Sequence, residues 1–226
     1  MIIEASNPIK IDVQTLPDTI SGILKALRSE ARGTKDRRAV MDGLRPVTQE
    51  LWKRLSLNER SRYLRHALPW WNIHRHRVAP EVFERLNGLV RDGIVQFHAG
   101  FLKSIASGVV ARHRIRGVQH VADIRADWLI NCTGMERAGI GHSPLLNEMM
   151  RTNLIAPDPL GVGIQVDALS EVTSPSSSLA GRLFAVGALT AGQFWEITAV
   201  PDIRIQAKVV VEDITRLSRG HVSTDR

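Results

Sequence analysis

The chain reads as an α/β protein: a helical front segment, then a mixed sheet, then a C-terminal helix. Three observations predict this. Helical periodicity dominates as far as Gly93, and strand-like patterning begins at Ile94. Two apolar runs, Ala126-Asp127-Trp128-Leu129-Ile130-Asn131-Cys132-Thr133-Gly134 and Arg182-Leu183-Phe184-Ala185-Val186-Gly187-Ala188-Leu189, each carry a strand into a glycine turn.

The elements follow in order. After Pro17, the residues Ile20, Ile23, Leu24 and Leu27 recur at helical spacing, with Asp18 or Thr19 as N-cap and Gly33 as the stop. A second helix starts near Pro46, with Val47, Leu51, Trp52 and Leu55 on one face. Ser56-Leu57-Asn58-Glu59 has the capping-box pattern, which predicts a helix carrying Leu57, Leu64 and Leu68 inward and ending before Pro69. Another helix begins at Pro80, buries Val82, Phe83, Leu86, Leu89 and Val90, and closes at Gly93.

Residues 94–98 and 108–115 then read as a hairpin or meander. Ser143 as N-cap and Pro144 in the first turn announce a helix after the strand at 127–132. Ser174-Pro175-Ser176-Ser177-Ser178 is a loose loop. A final helix opens at Pro201, with Ile203, Ala207, Val210, Val211, Ile214 and Leu217 at helical spacing. Its N-terminus either faces an anion or simply begins a helix that covers the sheet, and spacing does not choose between them. The organisation expected is a helical segment over 1–93, a strand-rich stretch over 94–181 with a return strand at 127–134, and a last strand and helix over 182–226.

Composition bounds the function. The chain has 226 residues, 43% hydrophobic and 23% charged, which is ordinary for a globular protein and argues against disorder. A net charge of +7, carried mostly by arginine, permits contact with phosphates of nucleotide, nucleic acid or membrane. The single cysteine, Cys132, rules out an intrachain disulfide and fits a reducing, cytoplasmic setting; at the end of an apolar strand it reads as a buried small residue. The apolar run 183–195 is shorter than the ~20 residues of a membrane span, and Glu4, Lys10, Asp12 and Asp18 interrupt any signal-peptide core.

The chemistry-bearing motifs are few. Gly139-Ile140-Gly141 and Gly161-Val162-Gly163 lack a third glycine at dinucleotide-fingerprint spacing, so each reads as a turn needing positive backbone angles. His66, His74 and His76 have no cysteine or carboxylate cluster at zinc-like spacing, and no metal site is expected. Neither a G-x-S-x-G elbow nor a Walker loop occurs.

Several ordered segments carry a resemblance. Asp42-Gly43-Leu44-Arg45-Pro46, Leu51-Trp52 and the run 65–80, which includes Pro69-Trp70-Trp71-Asn72-Ile73-His74-Arg75-His76-Arg77, are followed by Asn131-Cys132-Thr133-Gly134. Asp158-Pro159-Leu160-Gly161, Leu183-Phe184-Ala185-Val186-Gly187 and 195–201 come after. In this order they resemble the bacterial FAD/NAD(P)-binding oxidoreductases with two nucleotide domains, a group distantly similar to N-hydroxylating monooxygenases and related to proteins described as FAD-dependent urate hydroxylases. The resemblance spans about residues 32–214.

What it implies is an incomplete two-dinucleotide-binding-domain flavoprotein fold, the rear portion of an oxidoreductase or monooxygenase that binds FAD and NAD(P)H and acts on a small-molecule substrate. The family opens on a strand and glycine-rich turn that hold the FAD pyrophosphate, and Met1-Ile2-Ile3-Glu4 leads into no such turn. A truncated product, a split gene or a piece of a longer protein is expected, with little or no turnover alone and either a separate N-terminal FAD-binding chain or self-association. The resemblance assigns cofactor contacts to Thr133, Gly134, Gly187, Ala188, Leu189, Trp195, Thr198, Arg75 and Arg77, and no catalytic residue. Ala188 stands where many flavoproteins carry an acidic ribityl anchor.

The rival reading rests on Arg60, Arg62, Arg65, His66, His74, Arg75, His76 and Arg77 around Trp70 and Trp71. That mixture suits single-stranded nucleic acid or a non-catalytic interaction surface, and equally the phosphates of NAD(P)H. A structural role ranks first for most of these residues, nucleotide contact second and nucleic acid third.

Overall fold

The computed structural model describes residues 7–34, 36–75, 78–107, 109–132, 139–173 and 183–222. The chain divides into two compact units, one formed by Met1–Arg75 with Glu136–Arg226 and the other by His76–Met135. The protein is mixed α/β: a helical N-terminal segment, a three-strand antiparallel sheet and a C-terminal helix. No helix among the described residues is long and apolar enough to cross a membrane.

In the first unit, local capping chemistry sets the helix starts. Helix α1 (Ile20–Gly33) begins at Thr19, whose side chain accepts the Gly22 N–H. Helix α2 (Arg37–Leu44) is capped in the same way by Asp36. A 3-10 turn at Arg45–Val47 leads into α3 (Thr48–Arg54), and Ser56 caps α4 (Leu57–Arg62) by accepting the Glu59 N–H.

The helix expected to end before Pro69 runs on instead. A π turn at Tyr63–Ala67 joins α4 to α5 (Leu68–Arg75), and the Leu68 N–H reaches back to the Tyr63 carbonyl. Pro69 has no N–H to give and its ring crowds an ordinary α-turn, so widening the preceding turn lets the chain pass through it.

The helical segment closes over a core of Leu16, Ile20, Ile23, Trp52, Leu55 and Leu64. Residues of the chain's second half complete it, with Leu160, Val162 and Trp195 packed against its edge. A second apolar cluster, Ile140, Ile155, Ile164, Val166 and Val172, gathers Leu183, Ala185 and Phe194. The extended stretch 183–185 pairs with 170–172 through a Glu171–Phe184 bridge and through the bonds Val172 N to Leu183 O and Ala185 N to Ser170 O.

Helix α7 (Pro144–Arg151) starts as the sequence predicts, with the Ser143 hydroxyl accepting the Leu146 N–H and Pro144 in the first turn. The C-terminal helix α8 (Val200–Val222) is also found, but its inward face is turned. Gln206, Val210 and Asp213 are buried, whereas Val211 and Ile214, expected inside, are 61% and 42% exposed.

In the second unit, α6 (Pro80–Arg91) precedes a meander of β1 (Gly100–Ala106), β2 (Val110–Ile115) and β3 (Val121–Arg125). The sheet is antiparallel in both pairings rather than mixed. Gly93, at a φ of +71°, turns the chain out of α6 as expected. The first strand lies at β1, past the expected 94–98. Val82 and Phe83 of α6 are both 56% exposed, so the helix does not bury the face that its periodicity selects.

Residues 127–132 belong to none of the three strands, and Trp128 and Ile130 are 87% and 82% exposed. Cys132 is exposed rather than buried, on a segment that joins none of the described strands.

Candidate functional site

The first unit brings the predicted 187–198 segment against the helical front. Gly187 adopts φ +85° and ψ −152°, a region that only glycine enters freely. Its backbone is held on both sides: the N–H donates to Gln206 Oε1 of α8 at 2.8 Å, and the carbonyl accepts from the Thr190 N–H and hydroxyl. Gln206 Nε2 donates to the Ser170 and Thr190 hydroxyls, each at 3.0 Å. Buried polar groups are costly unless paired. Each polar side chain of this set has a partner within it, and that explains why a glutamine occupies an inward position of α8.

Two further glycines hold the segment close to the loop at 158–163. A Cβ on Gly163 would lie 2.1 Å from the Leu189 carbonyl oxygen, and one on Gly192 would lie 2.4 Å from the Asp158 carboxyl. Asp158 is buried and accepts the Leu160 and Val162 N–H groups, which shapes the loop that the sequence reads as a turn.

The aromatic cluster forms the other wall. Trp52 and Trp195 stack with centroids 4.8 Å apart, and Tyr63 meets both edge-on. Trp52 Nε1 donates to the Gly192 carbonyl at 2.9 Å, and Gln49 Nε2 donates to the Trp195 carbonyl. An apolar cavity of about 80 Å³ lies among Ile23, Leu27, Leu51, Trp52, Tyr63 and Trp195.

Glu196 sits at φ +60°, unusual for a residue with a side chain. Its carboxylate accepts from Trp71 Nε1 at 2.5 Å and from Arg75 Nε at 3.3 Å, so α5 holds the strained residue in place. Burial, and then the charge of Glu196, push the Tyr63 phenol well above its ordinary pKa, with the Trp195 indole opposing. Tyr63 therefore stays protonated and is no general base at neutral pH.

The expected site residues thus divide. Gly187, Ala188, Leu189, Trp195 and Thr198 belong to one segment; Ala188, Leu189 and Thr198 are exposed, and Trp195 is half-buried in the stack. Arg75 is committed to Glu196. Thr133, Gly134 and Arg77 lie outside the described residues.

The basic cluster is largely structural. Arg60 donates to the carbonyls of Trp52, Leu55, Lys53 and Gly192 and lies 5.2 Å from the Trp52 ring centroid. Arg62 pairs with Glu59, while Arg65, His66 and His74 are exposed. Among the described residues no group of three or more His, Cys, Asp or Glu side chains is placed to hold a metal ion.

Sequence reasoning missed Gln206, Ser170 and Thr190. The sequence signal for them was a polar residue, Gln206, four positions before Val210 on the same helix face. No family model, curated protein or solved structure matches the chain.

Proposed function

We propose that the chain supplies the rear portion of a flavin- and nicotinamide-dependent oxidoreductase. The observation that carries this reading is the turn at Gly187. An extended segment runs into a glycine-only conformation, α8 locks it from beneath through Gln206, and Ala188, Leu189 and Thr198 are left exposed.

The fit is with the neutral part of a flavin. The Gly187 N–H is already donated to Gln206, and the first turn of α8 carries the acidic Asp202, so neither offers a ready seat for a pyrophosphate. The ribityl chain and ring system, which carry no phosphate charge, suit an exposed turn rich in small and apolar residues. The pyrophosphate and the hydride donor NAD(P)H then require groups beyond this turn, in a partner chain or another part of the protein. The bound flavin would supply the redox chemistry while this chain contributes position and a shaped wall.

Exposed apolar residues of the second unit fit such dependence, with Phe97 at 76% and Phe101 at 58%. Covering them is what a partner chain or self-association would supply.

The test is titration of FAD and of riboflavin with the full chain, reading flavin fluorescence. Saturable quenching of both, lost in Gly187→Ala and not displaced by ADP, is the expected result. Displacement by ADP alone, or no saturable change with either flavin, would overturn the reading.

A further inference from the structure

The meander of the second unit has two chemically different faces. Opposed residues of an antiparallel pair share a face. The register therefore places Leu102, His113 and Ala122 on one side with Ile105, Ala111 and Ile124. His113 is buried there, and Ala111, Ala122 and Ile124 are half-buried.

The other side is basic. Phe101 lies opposite Arg114, Arg112 opposite Asp123, and Val110 opposite Arg125. The three strands carry Lys103, Arg112, Arg114 and Arg125 against one acid, Asp123. Arg112 holds that acid at 3.0 Å, an ordinary cross-strand pair, which still leaves the strands with a positive excess.

An aromatic ring lies within this charged face. Phe101 is 58% exposed, and the Arg114 guanidinium sits 5.0 Å from its ring centroid. Shielding an apolar ring would account for that contact alone. It does not account for the arginines continuing along the sheet. Residues two apart on a strand are ~7 Å apart and face the same way, so Arg114, the Arg112–Asp123 ion pair and the Val110–Arg125 pair form a line leading away from the ring, with the excess positive charge at Arg114 and Arg125.

The geometry points to a single-stranded nucleic acid as the partner of this face, with a base stacked at Phe101 and Arg114 and successive phosphates at Arg112 and Arg125. Aromatic rings and guanidinium planes both stack bases without sequence preference, and arginines neutralise the backbone. The face is an open strand surface in which every residue of β1 is exposed. That shape suits an extended polymer better than a small molecule, which is held in a concavity. The strands belong to the second unit and Gly187 to the first, and the proposal does not depend on flavin binding.

The test is fluorescence anisotropy of a labelled oligothymidylate with the full-length chain across a salt series. Two phosphate contacts, at Arg112 and Arg125, predict a log–log salt slope of about −1.4, and Arg125→Ala should reduce its magnitude by about 0.7. Phe101→Ala, at an exposed position, should weaken binding about tenfold while leaving the slope unchanged. Arg65→Ala, in the first unit, should change neither.

Three outcomes would overturn the proposal. One is equal affinity for a duplex of the same length, which would mark a bulk effect of net charge. Another is an Arg65→Ala effect as large as that of Arg125→Ala. The third is full affinity in both Phe101→Ala and Arg125→Ala proteins that keep the wild-type circular dichroism spectrum.

Discussion

Glu59 caps a helix to which it does not belong. Its Oε2 accepts the Ile20 backbone N–H at 2.6 Å across 39 positions of sequence, tying the start of α1 to the first turn of α4. The same carboxylate pairs with Arg62. The Ser56 hydroxyl makes its half of the capping box by accepting the Glu59 N–H, while the Glu59 side chain is committed to α1.

This contact predicts a pH signature. The Ile20 N–H holds the Glu59 carboxyl below its ordinary 4.5; burial opposes the shift, and Arg62 adds to it by hydrogen bond and charge. A folded-state value depressed in this way contributes stability that is present above the unfolded value and is lost as pH falls through the folded one. Glu59→Gln should therefore melt lower than wild type at neutral pH and lose less on acidification below about pH 5. Melting curves that run parallel down the acid limb would show that Glu59 carries no such linkage.

Gly187 should tolerate no side chain. The nearest atom to a built Cβ is Ile203 Cδ1 at 3.7 Å, an ordinary contact, so space is not the constraint. The constraint is the backbone angle pair, and Gly187→Ala should cost about 1–3 kcal/mol in urea unfolding. A neutral substitution would mean that the turn relaxes without loss.

Gly192 is limited by space instead. A Cβ there meets the Asp158 carboxyl at 2.4 Å, and Asp158 cannot retreat without releasing the Leu160 and Val162 amides. Gly192→Ala should destabilise by about 1–3 kcal/mol through overpacking. Paired with Asp158→Ala, which removes both the obstacle and the cap, it should show clear non-additivity, and strictly additive energies would separate the two residues.

Gln206→Leu keeps the volume and removes the pairing. The Gly187 N–H and the Ser170 and Thr190 hydroxyls lose their shared partner, at about 1–3 kcal/mol for a buried group left unsatisfied. A cycle with Thr190→Val should reveal coupling of about 0.5 kcal/mol or more. Independent effects would show that the network is a set of separate bonds.

The Trp52–Trp195 stack offers a spectroscopic handle. Two indoles 4.8 Å apart at 24° between planes should give an exciton couplet in circular dichroism, absent from Trp195→Phe. Stability should fall by about 1 kcal/mol beyond lost contact area, the scale of one aromatic pair. A couplet that survives in Trp195→Phe would assign it to another pair.

What the sequence determined by itself was local. Thr19, Ser56 and Ser143 start their helices, Pro144 occupies its first turn, and Gly93 stops α6, because each satisfies or releases backbone groups within one turn of itself. The Gly187 turn was legible for the same reason: a glycine at the end of an apolar run signals a conformation that other residues avoid. Tertiary structure decided the rest. Pro69 is passed because a π turn precedes it, α8 buries Gln206 because Gly187, Ser170 and Thr190 lie opposite, and Cys132 is exposed on a segment that joins none of the described strands. Hydrophobic periodicity marks a face that could be buried, but only the packed partners fix which face is buried, since the free energy belongs to the contact and not to the helix alone.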